Sequence, residues 1–303
     1  MKKVLKWIGI VLGGLLGLVV LALIGVYIAS SLRLNKMYDV QPSAVAIPTD
    51  EAAVAEGKRQ FFTHGCIDCH GTDGAGLMVI DDPLVGHVTG ANLTAGHGGI
   101  GQVYTDLDWV RAIRNGIGPD GKPLVIMPAK DYNPINDEDL GNLIAYLKSL
   151  PPVDRTPPPN TVGPLGRILL VTQLAAVLPA ELIDHNAPRP AAVAKGPTAE
   201  YGHYLASQTC MGCHGEGLSG GPIPGLPPDP PFPQNLTPDK ETGLGNWSKE
   251  DFVGAIRTGQ RPDGTPLNPT KMPWPAFQQL TDEELSALWL YLESLPARPY
   301  GNR

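Results

Sequence analysis

At 303 residues the chain is long enough for two domains of about a hundred residues each, with additional segments. Its apolar content of 42% is ordinary, but 32 prolines and 36 glycines indicate that much of the chain is loop. The net charge is −7 overall and −12 after residue 36, where 18 basic and 30 acidic side chains remain, which excludes nucleic acid as a partner.

An uncharged apolar run of 22 residues, Ile8 to Ala29, lies near the start of the chain. At 1.5 Å per residue it is long enough to cross a bilayer core of about 30 Å, and it exceeds the apolar stretch of a usual signal peptide. It predicts an uncleaved membrane anchor over 1–32, followed by a juxtamembrane linker over 33–49. The alternative is cleavage near Ala29-Ser30-Ser31, which is a weak small-residue site.

The charges before this run predict its orientation. Lys2, Lys3 and Lys6 precede it, and basic residues favour the cytoplasmic side of a transmembrane helix. We therefore expect a single-pass protein of the cytoplasmic membrane, with its N-terminus in the cytoplasm. The chain from residue 33 onward is then expected on the outer, periplasmic side.

Every cysteine belongs to one of two pentapeptides, Cys66-Ile67-Asp68-Cys69-His70 and Cys210-Met211-Gly212-Cys213-His214. This CxxCH spacing is that of c-type heme attachment, because two thiols one helical turn apart can add to the vinyl groups of one porphyrin while the histidine reaches the iron. CxxC alone also occurs in redox disulfides and zinc sites. Histidine in the fifth position both times, between short polar and glycine-bearing stretches, favours two covalently attached heme c groups.

The two motifs lie in two copies of one domain. Cys66 and Cys210 are 144 residues apart, and other segments recur at similar offsets: Asn92-Leu93-Thr94 with Asn235-Leu236-Thr237, Ala112-Ile113-Arg114 with Ala255-Ile256-Arg257, Met127-Pro128 with Met272-Pro273, and Ser149-Leu150-Pro151 with Ser294-Leu295-Pro296. The pattern predicts domains over 50–152 and 196–303, joined by a linker over 153–195.

The last segment of each copy predicts an amphipathic helix. Asn136 and Thr281 are N-cap residues, and Glu284 completes a capping box with Thr281. Apolar side chains follow at helical spacing, and Pro151 and Pro296 end the helices. We expect each apolar face to pack against the helix that precedes CxxCH. No alternating run is long enough to predict a sheet, so the fold class is all-α, with two loop-rich helical domains after one transmembrane helix.

The repeat also predicts a sixth ligand for each iron. Met127 and Met272 lie 57 and 58 residues after the histidine of their CxxCH, and each precedes proline in a loop ahead of the last helix. A methionine is more often a core residue than a ligand, but equivalent positions in both copies favour His/Met coordination, by His70 with Met127 and by His214 with Met272. Met78 is a competitor in the first copy only.

Other side chains are candidates for the heme surroundings. Arg114 and Arg257 recur, and a guanidinium suits a buried propionate, although a surface salt bridge is an equal alternative. Tyr104 and Trp247 also correspond, and either ring suits packing on the porphyrin or donation to a propionate. Bis-histidine coordination is a minor alternative. The remaining histidines have no matched counterparts and are interpreted as structural or exposed: His64, His87, His97, His185 and His203.

The linker begins with a stiff proline-rich stretch and continues as an apolar segment over 165–183. Arg167, Gln173, Pro179 and Glu181 interrupt this segment, so a second transmembrane helix is not expected. It is interpreted as a short helix packed against a domain, with a position at the membrane surface as the alternative. From its place in the chain, we expect it to fix the two hemes relative to each other.

With these motifs the chain resembles membrane-anchored diheme c-type cytochromes that carry two tandem monoheme cytochrome c domains. The resemblance covers nearly everything after residue 50 and rests on CxxCH, the Asn-Leu-Thr segments, Asn246-Trp247-Ser248-Lys249-Glu250-Asp251-Phe252, the Met-Pro-Trp of 272–274 and the closing Leu-Tyr-Leu-Glu-Ser-Leu-Pro. The chain is also similar to cytochrome subunits that accept electrons from periplasmic alcohol, aldehyde and sugar-acid dehydrogenases. Those subunits typically carry three hemes, whereas this chain carries two.

The resemblance implies an electron carrier or an electron-transfer subunit, with no catalytic residue of its own. It implies single-electron transfer from a dehydrogenase or quinol-oxidising complex to an acceptor such as a terminal oxidase or a soluble cytochrome. His/Met coordination closes both irons to oxygen and peroxide. The rival interpretation is a diheme, peroxidase-like enzyme with one open iron, and two equivalent methionines argue against it.

Overall fold

The computed structural model describes residues 2–172, 177–189, 191–224 and 229–303. Among these residues, one helix is long and apolar enough to cross a membrane: α1, Lys2–Leu34. Its side chains from residue 2 to residue 25 are all exposed. This stretch therefore packs on no other part of the chain that the structure describes, and it presents its apolar surface outward along its whole length.

The first domain consists of short helices joined by long loops. Its helices are α2 (Glu51–Thr63), α3 (Ile67–His70), α4 (Asp106–Val110), α5 (Ala129–Tyr132) and α6 (Asp137–Ser149), and α4 continues as a π-helical turn over Arg111–Asn115. The Asn136 carboxamide caps α6 by accepting the Asp139 N–H, as predicted. One apolar core joins α2, α4 and α6, and its largest members include Phe61, Trp109, Ile113, Leu140 and Ile144.

The second domain repeats the same order of helices. They are α8 (Ala199–Thr209), α9 (Met211–His214), α10 (Lys249–Thr258), α11 (Trp274–Phe277) and α12 (Asp282–Ser294). The capping box of Thr281 and Glu284 is formed, as predicted. The all-α fold class is therefore confirmed, with the linker and α1 as additions to two helical copies.

The predicted packing of the last helix on the helix before CxxCH is confirmed in both domains, and a glycine permits it. A Cβ at Gly57 of α2 would lie 1.9 Å from the carbonyl oxygen of Asn142 in α6. A Cβ at Gly202 of α8 would lie 2.0 Å from the carbonyl oxygen of Ala287 in α12. The two helices of each pair cross in backbone contact at this point, which only glycine allows.

A small antiparallel sheet corrects the expectation that no sheet forms. β1 (Met78–Asp82) and β2 (Gly86–Thr89) form a hairpin, and β3 (Thr161–Val162) from the linker pairs with β2. The expectation is wrong here because strands of two to five residues are too short to show a recognisable alternation. The third strand also comes from a distant segment, so only the tertiary fold brings it to the hairpin.

The linker packs on the first domain and on the end of α1. α7 (Pro164–Thr172) lies against α1, and a 3-10 turn over Pro179–Leu182 lies against α5. Residues 173–176 of the predicted apolar segment, Gln173 among them, lie outside the described residues. The described part is a short helix packed against a domain, which is the first of the two interpretations of the sequence.

The two domains also contact each other directly, through equivalent positions. Arg59 of α2 forms a two-pronged ion pair with Glu284 at the start of α12, with N–O distances of 2.6 and 2.8 Å. Tyr204 of α8 donates its hydroxyl to Asp139 at the start of α6 at 2.6 Å. Arg59 and Tyr204 are 145 residues apart, as are Asp139 and Glu284. The two contacts are thus related by approximate two-fold symmetry between the copies. The domains are therefore joined by direct contacts as well as by the linker.

Candidate heme sites

Both CxxCH motifs form a single helical turn directly after the first helix of their domain. In α3 and α9 the N–H of the histidine donates to the carbonyl of the first cysteine at 2.9 Å. Gly71 and Gly215 follow, with φ of 75° and 84°, a conformation that glycine adopts without strain. The turn therefore ends at the histidine, and two thiols and one imidazole lie on one short element.

Each of these histidines is held in one orientation by a backbone carbonyl. Nδ1 of His70 lies 2.8 Å from the Ala91 oxygen, and Nδ1 of His214 lies 2.7 Å from the Gln234 oxygen. A carbonyl only accepts, so Nδ1 carries the proton and Nε2 keeps its lone pair. Burial lowers the pKa of both imidazoles, that of His214 to about 4. Both rings are therefore neutral at physiological pH, which is the form that binds iron.

The repeated Asn-Leu-Thr segments hold these two carbonyl groups in place. Asn92 and Asn235 directly follow the carbonyl residues and are almost completely buried. The Asn92 amide donates to the Val153 and Arg155 carbonyls at 2.8 and 2.9 Å, and its oxygen accepts the Thr94 N–H and hydroxyl. In the second domain Asn235 makes the corresponding bonds, with Arg298 as the carbonyl partner. Each motif ties the segment beside the histidine to the chain that follows the last helix.

The first domain contains an apolar cavity beside its CxxCH. The cavity encloses about 620 Å³ of empty space including its open mouth, a size typical of cofactor pockets. Its lining includes Cys66, His70, Leu93, Tyr104, Trp109 and Met127. One predicted attachment cysteine and both predicted axial ligands of the first heme therefore line a single cavity, and its walls suit a porphyrin.

The second methionine occupies a corresponding turn. The carbonyls of Met127 and Met272 each accept the N–H of the residue two positions later at 2.7 Å, with proline between. Met272, Cys210 and Trp247 are each partly buried and pack against the core of the second domain. The structure thus brings Met272 and Trp247 to the core that the second CxxCH also contacts.

The thiols do not have the properties of a redox disulfide or a zinc site. Burial raises the pKa of Cys66 to about 12 and that of Cys210 to about 11, whereas a reactive cysteine has a lowered pKa. None of the four cysteines is in a disulfide. In the part of the chain that the structure describes, no group of three or more histidine, cysteine and acidic side chains is placed to hold a metal ion. Protonated thiol pairs, one of them beside an apolar cavity, fit covalent porphyrin attachment better.

The two recurrent arginines each have a backbone carbonyl and a carboxylate as partners within the protein. Arg114 donates to the Ile135 carbonyl and pairs with Asp137 at 2.8 Å. Arg257 donates to the Gln278 carbonyl and pairs with Asp282 at 2.7 Å. Both guanidinium groups fasten the start of the last helix, and a propionate contact by either arginine stays a prediction. By contrast, Tyr104 does line the cavity, where burial raises its pKa to about 12.

The second CxxCH lies against α5 of the first domain, the short helix that follows Met127-Pro128 in the chain. A Cβ at Gly212 would lie 2.9 Å from the Asp131 carboxylate, and Lys130 pairs with Glu216 at 2.8 Å. His64, interpreted from the sequence as structural, lines the first cavity and bonds through Nε2 to Gln208 of α8 at 2.7 Å. Sequence reasoning missed these contacts between the domains, because none of them recurs in both copies.

Comparison with known proteins assigns both domains to cytochrome families. Residues 199–296 match the family described as Cytochrome c. Residues 52–147 match the family described as Cytochrome C oxidase, cbb3-type, subunit III. Both matches lie inside the domain bounds expected from the repeat.

Three curated relatives are similar to most of the chain. The cytochrome c subunit of alcohol dehydrogenase (quinone) from Gluconobacter oxydans is 29% identical over 86% of this chain and 58% of the relative. The fructose dehydrogenase cytochrome subunit from Gluconobacter japonicus is 29% identical over 81% of this chain and 53% of the relative. A protein named diheme cytochrome c-type from Cereibacter sphaeroides is 27% identical over 91% of this chain and 97% of the relative.

These matches agree with the sites described above. The chain spans only 58% and 53% of the two dehydrogenase subunits, but nearly the full length of the diheme cytochrome. Two cytochrome domains, each with one CxxCH, carry two covalently bound heme c groups. The chain is a diheme c-type cytochrome with two tandem cytochrome c domains, and its N-terminal helix fits a membrane anchor.

Proposed function

We propose that the protein carries single electrons on the periplasmic side of the cytoplasmic membrane, between a dehydrogenase or quinol-oxidising donor and an acceptor such as a terminal oxidase or soluble cytochrome. The observation that carries this proposal is the placement of a neutral histidine and a methionine on one apolar cavity beside an attachment cysteine. When bound, heme c supplies one-electron redox chemistry.

The proposed roles of the site residues follow from their positions. His70 and His214 would hold the two irons through Nε2, with their rings oriented by the Nδ1 bonds to carbonyl groups. Met127 and Met272 would each supply a sulfur ligand to the iron, which would leave no open coordination position for a substrate. The apolar walls of the first cavity would exclude water, which favours the less charged ferrous state. The residues proposed for covalent attachment are Cys66 and Cys69 in the first domain, and Cys210 and Cys213 in the second.

The proposed donor rests on the relatives, and the proposed topology on α1. Two relatives are named as cytochrome subunits of dehydrogenases, which supports a periplasmic dehydrogenase as the donor. α1 is long and apolar enough to span a bilayer, and three lysines precede its apolar run. Basic residues favour the cytoplasmic side, so we place the N-terminus there and both heme domains outside.

The optical spectrum of the oxidised protein tests the proposed coordination. A weak sulfur-to-iron charge-transfer band at the red edge of the visible range reports methionine on ferric heme and can be calibrated per heme. We expect two hemes' worth of this band, with half lost in Met127→Ala and half in Met272→Ala. Met78→Ala is the matched control, because Met78 is an exposed methionine of β1 in the same domain as Met127 and its loss should leave the band unchanged.

Other outcomes would point to a different function. A band for one heme only, or a high-spin signal in the unmutated protein, would mean that one iron is open. The diheme, peroxidase-like enzyme would then replace the carrier as the working function. A band lost in Met78→Ala and retained in Met127→Ala would move the first distal ligand to β1.

A further inference from the structure

An exposed apolar surface lies beside the end of α1. Leu165, in the first turn of α7, is 42% exposed, and Leu84, in the β1–β2 turn, is 60% exposed. The two residues are neighbours, because the Leu165 N–H donates to the Leu84 carbonyl at 2.8 Å. At Gly166 a Cβ would lie 2.1 Å from the Val85 carbonyl oxygen, so helix and turn are in backbone contact. Leu84 and Leu165 therefore form one small exposed apolar surface that belongs to both the helix and the turn.

Contacts with α1 fix the level of this surface along the helix. The Arg167 guanidinium lies 4.2 Å from the centroid of the Tyr27 ring and donates to the Ser30 hydroxyl at 2.7 Å. Tyr27 belongs to the last turn of the apolar run that ends at Ala29. Leu165 is two residues from Arg167, within the same helical turn. α7 is therefore level with the end of the membrane-spanning run, where the hydrocarbon core gives way to headgroups.

The charges around this level suit a headgroup region. Arg33 pairs with Glu181 of the 3-10 turn, and Lys36 lies 4.5 Å from the centroid of the Tyr38 ring. Together with Arg167 they place three basic side chains near the end of α1. Aromatic and basic side chains are enriched at membrane–water interfaces, where cations also meet lipid phosphates. The leucine pair continues the apolar surface of α1 sideways at this depth, so a lipid surface fits it better than a protein partner.

We propose that α7 and the β1–β2 turn lie on the bilayer surface, with Leu84 and Leu165 in its outer apolar layer, so that the first domain is docked on the membrane that α1 crosses. This inference rests on the proposed membrane insertion of α1. The protein then contacts the membrane at a second place besides α1. This second contact is made by the linker segment, which also packs on the first domain.

Thiol protection in lipid nanodiscs tests this contact on the full-length holoprotein. The four native cysteines belong to the heme attachment motifs, so an introduced cysteine is the only reactive thiol. We expect Leu84→Cys and Leu165→Cys to react with a charged, membrane-impermeant maleimide roughly tenfold more slowly than Leu290→Cys, because a thiol in lipid ionises poorly. Leu290 is the matched control, since it is 40% exposed on α12 of the second domain.

A second measurement identifies what covers the thiols. A phospholipid with a photoreactive acyl chain should crosslink to the segments around residues 84 and 165 in the unmutated protein, as read by peptide mass. Leu16→Cys, in the middle of α1, reports the anchor separately. If Leu16→Cys reacts rapidly, membrane insertion of α1 fails. If Leu16→Cys is protected but Leu84→Cys and Leu165→Cys react like Leu290→Cys, or are protected without a lipid crosslink, the docking proposal alone is overturned.

Discussion

Single buried hydrogen-bond partners determine the geometry of both heme sites. The sequence predicts His70 and His214 as ligands, but it does not predict the Ala91 and Gln234 carbonyls that orient them, because every residue carries a carbonyl and none has a signature. The recurring Asn-Leu-Thr segment is the sequence signal that lies next to these two carbonyl groups. Its role becomes clear only when the buried asparagine is seen to tie that segment to the chain after the last helix.

Tyr204 should make stability sensitive to alkaline pH. Its hydroxyl donates to Asp139 and accepts from the Asn136 side chain at 2.9 Å. Burial, with the Asp139 charge as a second cause, raises the pKa of Tyr204 far above its usual value near 10. Above about pH 10 the unfolded chain therefore releases a proton that the folded protein keeps, and stability falls as pH rises.

We expect Tyr204→Phe to lower the free energy of unfolding by roughly 1–2 kcal/mol at pH 7, because Asp139 loses a donor. Above pH 10 its stability should fall less steeply than that of the unmutated protein. Denaturant unfolding from pH 7 to about pH 11.5, in steps of about half a pH unit, measures both effects. The control is Tyr300→Phe, at an exposed tyrosine, which should change neither. If the unfolding free energy fell equally steeply with pH in all three proteins, this account of Tyr204 would be wrong.

At the scale of elements, the crossing of the first and last helix in each domain depends on one glycine. The amphipathic pattern and the caps predicted the last helix and its partner, and the structure confirms both. The pattern could not predict that the crossing point is at Gly57 and Gly202, because glycine in a helix has no apolar side chain to count. It is recognised only from the carbonyl of the opposite helix, which occupies the space of a Cβ.

Replacing glycine by alanine should therefore have opposite effects in two helices of the same domain. Gly202→Ala places a methyl group against the Ala287 carbonyl, and we expect a net loss of about 1–3 kcal/mol in unfolding free energy, despite the better helix propensity of alanine. Gly254→Ala in α10 is the matched control, since nothing lies within 4 Å of its Cβ. It should gain roughly 0.5–1 kcal/mol. Denaturant unfolding of both variants measures the signs, and a gain in Gly202→Ala would disprove the close crossing.

For the molecule as a whole, direct contacts between the two domains hold them together in addition to the stiff linker that the proline-rich stretch predicts. Two carboxylates, Asp139 and Glu284, occupy equivalent positions in the first turn of the last helix of their domain. Each also accepts a hydrogen bond or ion pair from the opposite domain. The donors differ, a tyrosine in one copy and an arginine in the other. A search for recurring residues therefore finds the carboxylates and overlooks their partners.

Arg59 should couple the unfolding of the two domains. Its ion pair with Glu284 is largely buried. Removal of Arg59 leaves the Glu284 charge with hydrogen bonds from Tyr201 and the Thr281 N–H but without its cation, so Arg59→Met should cost about 3 kcal/mol. Calorimetry should then show two separated transitions in place of one. Lys148→Met is the control, because it removes a surface pair with Asp106 inside one domain and should cost less than about 1 kcal/mol. A single unshifted transition in Arg59→Met would mean that the ion pair does not hold the domains together.

The sequence by itself determined the two heme attachment motifs, the duplication, the all-α class and the apolar N-terminal helix, because each of these is local or repeats along the chain. Covalent chemistry fixes the CxxCH spacing, hydropathy fixes the length of α1, and capping residues fix where the last helices begin. Only the tertiary structure decided that Met127 reaches the cavity of His70, that the arginines fasten the last helices, and that the domains face each other through Asp139 and Glu284. These are contacts between distant segments, and their partners are backbone groups or unmatched side chains that leave no periodic signal.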